Sequence, residues 1–315
     1  MDGREMDNPS GKNFRSGFVT FVGRPNVGKS SIINALLREK VAAVSSKPQT
    51  TRNAVRCILS AEDCQIVIVD TPGLHKPRHA LGEFMMREAK DALSSVDAVC
   101  LVTEAGRPLD AMDEAVLTML EEVGAPILLA ANKIDLCGGR RGEENFWRFL
   151  APVQERVKPV AVVPVSARDG TNLDVLKEEI AKLLPEGAPI YPEDVLMDAT
   201  ERFLAEEIIR EKIFEATEQE VPHSVAVIVE EFKSPEEYPD LKTAEIRADI
   251  IVERPGQKGI LIGGGGAKLK AVGSAARREM EERFGYPVFL QLWVKVKPDW
   301  RKSSREIERA GYRRR

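Results

Sequence analysis

Gly23-Arg24-Pro25-Asn26-Val27-Gly28-Lys29-Ser30 follows the apolar run Phe18 to Val22 and leads into Ser31-Ile32-Ile33-Asn34-Ala35-Leu36-Leu37, whose apolar spacing is helical. The stretch fits G-x-x-x-x-G-K-[ST] in the strand-loop-helix setting that the motif needs. Backbone N–H groups of such a loop and the N-terminus of the next helix converge on one anion. Lys29 is placed to reach the outer phosphates, and Ser30 and its neighbour Ser31 open the helix, with the Ser30 hydroxyl suited to magnesium. The alternative is an ordinary glycine-rich turn, which leaves the lysine and hydroxyl at these spacings without a reason.

The base and the metal must be met elsewhere in the chain. After the apolar strand Ile66 to Val69 stands Asp70-Thr71-Pro72-Gly73, a D-x-x-G turn at the carboxyl end of a strand, where open α/β sheets place their ligands. Asp70 can hold magnesium through water, and the Gly73 N–H can point at a terminal phosphate. After the strand Ile127 to Ala131 stands Asn132-Lys133-Ile134-Asp135. The Asp135 carboxylate can accept from guanine N1–H and its 2-amino group, a donor pair that adenine lacks. A buried carboxylate left unpaired rejects adenine, so the expected nucleotide is GTP or GDP. Beyond the strand Val160 to Val165 comes Ser166-Ala167-Arg168, whose Ala167 N–H is placed for guanine O6.

Each short motif is weak alone. Their order along the chain resembles that of the GTPase superfamily, and three of them directly follow β-type runs. Pro48-Gln49-Thr50-Thr51-Arg52, between the phosphate loop and the D-x-x-G turn, resembles a first switch, in which a threonine hydroxyl closes on magnesium when the γ-phosphate is present. Thr51 is favoured over Thr50; the alternative is a polar loop with incidental threonines. The expected catalytic set is Lys29, Thr51, Gly73 and Asn26. The metal set is Ser30, Thr51 and Asp70.

The 315 residues suffice for two domains, and 43% hydrophobic with 30% charged is ordinary for a globular protein. A net charge of −4 argues against a generic polyanion binder, so any nucleic-acid contact needs a local patch. Cys57, Cys64, Cys100 and Cys137 form no C-x-x-C pair, and the 3 histidines are scattered, which points to reduced core thiols, no zinc site and a cytoplasmic setting. No apolar run approaches the ~20 residues of a membrane span, and the polar start lacks the apolar core of a signal peptide. Residues 1–13 are expected to be disordered.

Alternating strands and amphipathic helices, among them Leu109 to Val123 and Asn172 to Leu184, predict a doubly wound, mostly parallel α/β domain over 14–184. The proline-rich stretch 185–193 reads as a linker. Residues 194–298 have another grammar: a helix from Asp194 to Ala216, strands at Ser224 to Glu230 and Thr243 to Val252, the Gly263-Gly264-Gly265-Gly266 turn, a helix from Ser274 to Phe284 and a strand from Pro287 to Val296. Ile260-Leu261-Ile262 entering G-x-x-G before a helix marks a KH module, an α+β fold whose glycine loop clamps about four nucleotides. Lys258, Ile262, Gly263, Gly264, Gly265, Gly266, Lys268 and Lys270 are the expected RNA-binding residues. The alternative is a glycine-rich connection without a ligand.

Taken together, the chain resembles the bacterial Era GTPases, a P-loop GTPase domain followed by a type II KH domain. The resemblance is carried by 23–30, Gln49-Thr50-Thr51-Arg52, Asp70 to His75, Ser224-Val225, Glu253-Arg254 to Ile262 and Leu292 to Lys297. It implies binding to the 3′ end of small-subunit ribosomal RNA, a role in assembling the small ribosomal subunit, and peripheral contact with the cytoplasmic membrane face; a monomer is expected. Family members commonly carry a lysine or other polar residue inside the glycine loop, where this chain has Gly264 and Gly265. Competing readings are an RNA-binding module whose GTPase fold is mainly structural, and a tRNA-modification GTPase, which leaves the KH half unexplained.

Leu74 stands where Ras-like GTPases place the glutamine that orients the attacking water, and Arg52 is the candidate for an arginine acting in cis, so slow hydrolysis is expected. Related GTPases with a G-x-P-N loop hold potassium with the asparagine, which gives Asn26 that role; the alternative is a loop-shaping residue. The tail 299–315 carries Arg301, Lys302, Arg305, Arg309, Arg313, Arg314 and Arg315 against Glu306 and Glu308, and suits RNA phosphate or an anionic surface, or a solvated helix. Trp293, inside an apolar strand, is expected in the core rather than stacked on a base.

Overall fold

The computed structural model describes residues 14–41, 52–73, 79–218 and 220–312, without the side chains of 140–143. The expectations for residues 1–13, for 48–51 with Thr50 and Thr51, and for Leu74 and His75 lie outside the described residues. The chain divides into two compact units: 14–41, 54–73 and 88–198 form one, and 52–53, 79–87 and 199–312 the other.

In the first unit, strands β1 (Arg15–Val22), β2 (Val55–Ser60), β3 (Cys64–Asp70), β4 (Ala98–Glu104), β5 (Ile127–Asn132), β6 (Ala161–Pro164) and β7 (Met197–Asp198) form one sheet in the order β6-β5-β4-β1-β3-β2-β7. β6, β5, β4, β1 and β3 are parallel, while β2 runs antiparallel between β3 and β7. Val19, Phe21, Ile66, Ile68, Cys100 and Leu128 are buried together, so these strands read as near-continuous apolar runs, as expected of parallel strands covered on both faces. The helices are α1 (Lys29–Leu37), the part of α2 (Ala80–Ser94) that follows Arg87, its earlier residues belonging to the other unit, α3 (Ala111–Leu120), α4 (Arg140–Val157) and α5 (Leu173–Leu183). Asp110 caps α3, accepting from Met112 and Asp113 N–H at 2.8 and 3.2 Å, which starts that helix two residues later than its apolar spacing suggested. β1 lies between β3 and β4, so the crossovers leave it in opposite directions; this is the switch point at which an open sheet has a crevice beyond its carboxyl edge.

The second unit continues with α6 (Glu201–Ala216), α7 (Val221–Ser224), β8 (Ala226–Lys233), β9 (Ala244–Val252), α8 (Pro255–Ile262), α9 (Ala267–Phe284), β10 (Val288–Val296) and α10 (Ser304–Arg309). The expected helix from Asp194 begins instead at Glu201, because Thr200 caps it through Phe203 N–H and β7 pairs with β2. The sheet order is β10-β9-β8, with β9 parallel to β10 and antiparallel to β8. Ile209, Ile213 and Phe214 of α6 and Val272, Ala276 and Met280 of α9 pack on Ile246, Ala248, Ile250 and Val288. α9 runs through Gly273, where a helix was expected to start afresh; a Cβ there would stand 3.3 Å from Leu292, which accounts for the glycine.

Two expectations about the carboxyl-terminal residues change. Trp293 is 59% exposed: β10 alternates, and its outward positions carry Phe289, Gln291, Trp293 and Lys295. The tail is a folded cap, with Trp300, Ile307 and Tyr312 buried with Leu81, Phe84 and Met85. Trp300 Nε1 donates to the Ser224 carbonyl at 2.8 Å, and Arg301 and Arg309 face Glu253 and Glu230, so part of its positive charge is neutralised internally.

Candidate nucleotide and RNA sites

Strand register brings three motifs to one edge. Phe21 pairs with Asp70 and Glu104 with Asn132, so the loop after β1, the turn after β3 and the motif after β5 emerge together. Gly23 and Gly28 have φ of 154° and 102° and no room for a side chain: a Cβ would stand 2.4 Å from the Val102 carbonyl oxygen and 2.2 Å from Asn132 Nδ2. Val27 is buried, Pro25 lies 3.2 Å from a Cβ placed on Gly73, and Asn26 is exposed with φ 66°.

Lys29 is 8% exposed, its ammonium donating to the Gly23 and Arg24 carbonyls at 3.2 and 3.4 Å. Burial lowers it from 10.5 to about 8, Asp70 drawing it part of the way back and Arg24 pushing it further down. The Ser30 hydroxyl donates to Asp70 Oδ2 at 3.2 Å, so two of the three expected magnesium ligands already meet. A hydroxyl beside a carboxylate suits a hard divalent cation. Thr71 serves the framework: it is fully buried and donates to the Phe21 carbonyl at 3.2 Å.

The base-selecting residues form a connected set. Asn132, 2% exposed, donates to the Val27 carbonyl at 2.8 Å, tying this motif to the phosphate loop. The Asn132 side-chain oxygen accepts from Ala167 N–H at 3.1 Å, so the group expected to meet guanine O6 is engaged within the protein. Ser166 Oγ donates to Asp135 Oδ1 at 2.8 Å and orients that carboxylate, while Arg168 stands 3.9 Å from the other oxygen. Lys133, with φ 68°, lies 3.2 Å from Glu104. Glu104 was not singled out from sequence. It ion-pairs with both Arg24 and Lys133; burial opposes its ionisation, yet those two cations hold its carboxyl below the usual range. A lone glutamate ending a strand carries no motif, and only the pairing of β4 with β5 reveals it.

Arg52, the candidate for action in cis, is fully buried in the second unit, donating to the Val225 and Pro222 carbonyls at 2.6 and 3.0 Å. Those carbonyls engage its guanidinium in this structure.

The glycine turn of the second unit lies between α8 and α9. Gly263, Gly265 and Gly266 have φ of 73°, 59° and 82°, whereas Gly264 has ordinary φ and open space around it. Ile262, Lys268 and Leu269 are half-buried, Lys258 likewise, and Lys270 is exposed. A groove of about 370 Å³ runs from Gly266 along Lys270, Gly273, Ser274 and Arg277 to Leu290 and Leu292. Ser274 and Arg277 escaped the sequence reading, although they continue the stripe of Gly266 and Lys270 at helical spacing. An apolar floor with a cationic rim at the N-terminus of α9 suits a base and its phosphate.

The sheet, phosphate loop and base motif define a guanine-nucleotide-binding P-loop protein that also carries a KH fold. Family models agree: a 50S ribosome-binding GTPase model matches residues 18–133 and a KH domain model residues 220–301. The chain is 46% identical over 299 residues to GTPase Era of Caldanaerobacter subterraneus subsp. tengcongensis, covering 95% of this chain and 98% of that one. It is 42% identical over 300 residues to GTPase Era of Alkaliphilus metalliredigens, covering 95% and 99%. Two solved structures superpose with a TM-score of 0.88 at 38% identity, each covering 95% of this chain and 99% of the other: an Aquifex aeolicus Era variant bound to GDP·AlF4− and an Era in complex with MgGDPNP and nucleotides 1506–1542 of 16S ribosomal RNA. The chain belongs to the Era family of GTPases.

Proposed function

We propose that this GTPase is a GTP-switched RNA-binding protein that recognises the 3′ end of small-subunit ribosomal RNA and assists assembly of the small subunit. The observation that carries the reading is the pairing of a preorganised guanine-nucleotide site with a glycine-clamped groove in one chain. The similar Era solved with MgGDPNP and a 16S fragment supports it. Gly23 to Ser31 cradle the phosphates; Ser30, Thr51 and Asp70 would hold magnesium, which would supply positive charge against the negative charge that develops during phosphoryl transfer. Asp70 to Gly73 sense the γ-phosphate, and Asn132, Lys133, Asp135, Ser166 and Ala167 hold guanine, with Ala167 N–H exchanging its intramolecular acceptor for O6. Lys258, Ile262, Gly263 to Gly266, Lys268 and Lys270 clamp the RNA. RNA affinity with a non-hydrolysable GTP analogue is expected to exceed that with GDP; equal affinities in a titration with a 16S 3′-end fragment sink the switch.

Leu74 cannot orient water, and Arg52 is occupied elsewhere. Intrinsic turnover is therefore slow, on the order of 10⁻⁴ to 10⁻² s⁻¹. Potassium held by Asn26 supplies part of the missing positive charge: hydrolysis rises when potassium replaces sodium, and Asn26→Ala removes that difference. Identical single-turnover rates of the parent in the two salts discard this role. The same reading makes the protein a cytoplasmic monomer with peripheral contact at the inner membrane face. Among the described residues no helix is long and apolar enough to cross a membrane. Co-sedimentation with anionic vesicles tests the peripheral contact.

A further inference from the structure

The order of the seven-stranded sheet puts one carboxylate between the two halves of the nucleotide site. β4 lies between β1 and β5, so its last residue, Glu104, emerges with the phosphate loop on one side and the base motif on the other. Glu104 pairs in register with Asn132, and Ala105 N–H donates to the Asn132 carbonyl at 2.7 Å, which fixes the end of β4 against the start of the base motif. The Glu104 side chain, 22% exposed, meets Arg24 of the phosphate loop and, at 3.2 Å, Lys133 of the base motif.

Both cations sit where a tether matters. Arg24 also reaches Asp113 at 3.5 Å, and Asp113 accepts from Asp110 N–H at 3.0 Å in the capping box of α3, so one guanidinium joins the phosphate loop to β4 and to a helix start. The Arg24 carbonyl accepts from the Lys29 ammonium at 3.4 Å, which links this arginine to the residue that meets the outer phosphates. Lys133 has φ 68°, a left-handed conformation that costs a non-glycine residue energy and persists where its surroundings hold it. Ile134 N–H, donating to the Val165 carbonyl at 3.2 Å, holds the backbone beside it, and Glu104 holds its side chain.

We propose that Glu104 is a positioning residue for guanine nucleotides: by holding Arg24 and Lys133 together, its carboxylate keeps the phosphate loop and the base motif in register with each other and sets how long a bound nucleotide stays. The inference rests on the reading of 23–30 as the phosphate loop and of 132–135 as the guanine motif. GDP and GTP use both segments, so the bridge acts on the two alike and leaves the preference between them unchanged.

Glu104→Gln keeps the shape and removes the charge. Chasing a fluorescent GDP from the full-length protein should show release about threefold to tenfold faster, the effect of roughly one lost charge-assisted hydrogen bond, and a non-hydrolysable GTP analogue should be released faster by the same factor. Preference for GDP over inosine diphosphate, which lacks the 2-amino group, should fall too, because Asp135 follows the loosened Lys133 by two residues. The melting temperature of the nucleotide-free protein should stay parental. Arg24→Lys keeps the charge but loses the fork that spans Glu104 and Asp113, and should speed release likewise; it decides should Glu104→Gln fail to fold. Glu121→Gln removes a carboxylate that pairs with Arg156 at 2.6 Å, outside the nucleotide motifs, and serves as the control with parental release. Parental GDP release in Glu104→Gln overturns the proposal. So does faster release with a lowered melting temperature of the empty protein and an unchanged preference over inosine diphosphate, which is the mark of a merely structural role. Asp135→Asn separates the two levels. If it keeps parental GDP affinity, the reading of the guanine motif fails and takes the inference with it; if it is impaired while Glu104→Gln is parental, only the bridge fails.

Discussion

Lys29 carries the largest electrostatic tension of the nucleotide site. The unfolded chain keeps its proton up to about 10.5 while the folded chain releases it near 8, so burying this ammonium lowers stability at neutral pH, and that cost shrinks as pH climbs from 8 towards 10.5. Bound phosphate reverses the balance by raising the lysine again. GTP affinity should be flat well below pH 8 and fall as pH rises through 8, by up to about tenfold per unit, with proton uptake near pH 8.5. Calorimetry in two buffers of different ionisation enthalpy measures that uptake; a pH-independent affinity from 7 to 9 excludes it. Asp135→Asn should shift preference from guanine to xanthine, since an amide can donate to the extra carbonyl where a carboxylate only accepts, and Ser166 remains to orient it. Competition titration reads the shift, and unchanged GTP binding would remove Asp135 from the base pocket. These residues were legible in sequence because contiguous motifs carry them. Arg52 was legible only as a candidate, since its partners lie 173 and 260 residues away along the chain.

At the scale of elements, the glycine turn between α8 and α9 divides by conformation. Substituting Gly263 strains a positive φ and meets Lys268 at 2.8 Å, so loss of RNA binding there mixes recognition with stability. Gly264 has neither problem. Gly264→Asp should abolish binding to a 16S 3′-end fragment with the melting temperature and GTP affinity unchanged, because a carboxylate then faces the incoming phosphate. Gly264→Lys should tighten binding. Filter binding on the two variants decides, and undiminished affinity in Gly264→Asp removes the clamp. Element order was readable from apolar spacing, but two details were not. Gly273 has the look of a helix breaker, and only Leu292, 3.3 Å from where its Cβ would stand, accounts for a glycine inside a continuous helix. Trp293 was misread from its apolar neighbours, although Gln291 and Lys295, two residues to either side, mark its face of β10 as the outward one.

For the molecule as a whole, the net charge of −4 means that no long-range field draws nucleic acid in. Attraction then rests on local cations: Lys270 and Arg277, which line the groove, and Lys258 and Lys268, on the helices either side of the glycine turn. The slope of log affinity against log salt should then be about −3, from about four neutralised phosphates on a single strand. A slope beyond about −6 would bring the tail arginines into the interface. The charge of that tail was plain in sequence; its folding was not, because Trp300, Ile307 and Tyr312 are sparse and their partners Leu81 and Phe84 lie far upstream.

The burial of Trp300 also gives the protein an optical label of its own. Of its 3 tryptophans, Trp147 and Trp293 are each 59% exposed and Trp300 is 1% exposed, its ring stacked on Tyr312 at 6.3 Å. Iodide should extinguish the first two emissions and leave a blue-shifted signal from the third. Any loosening of the cap around Arg52 would then appear as a red shift in that residual light, readable during turnover without a dye.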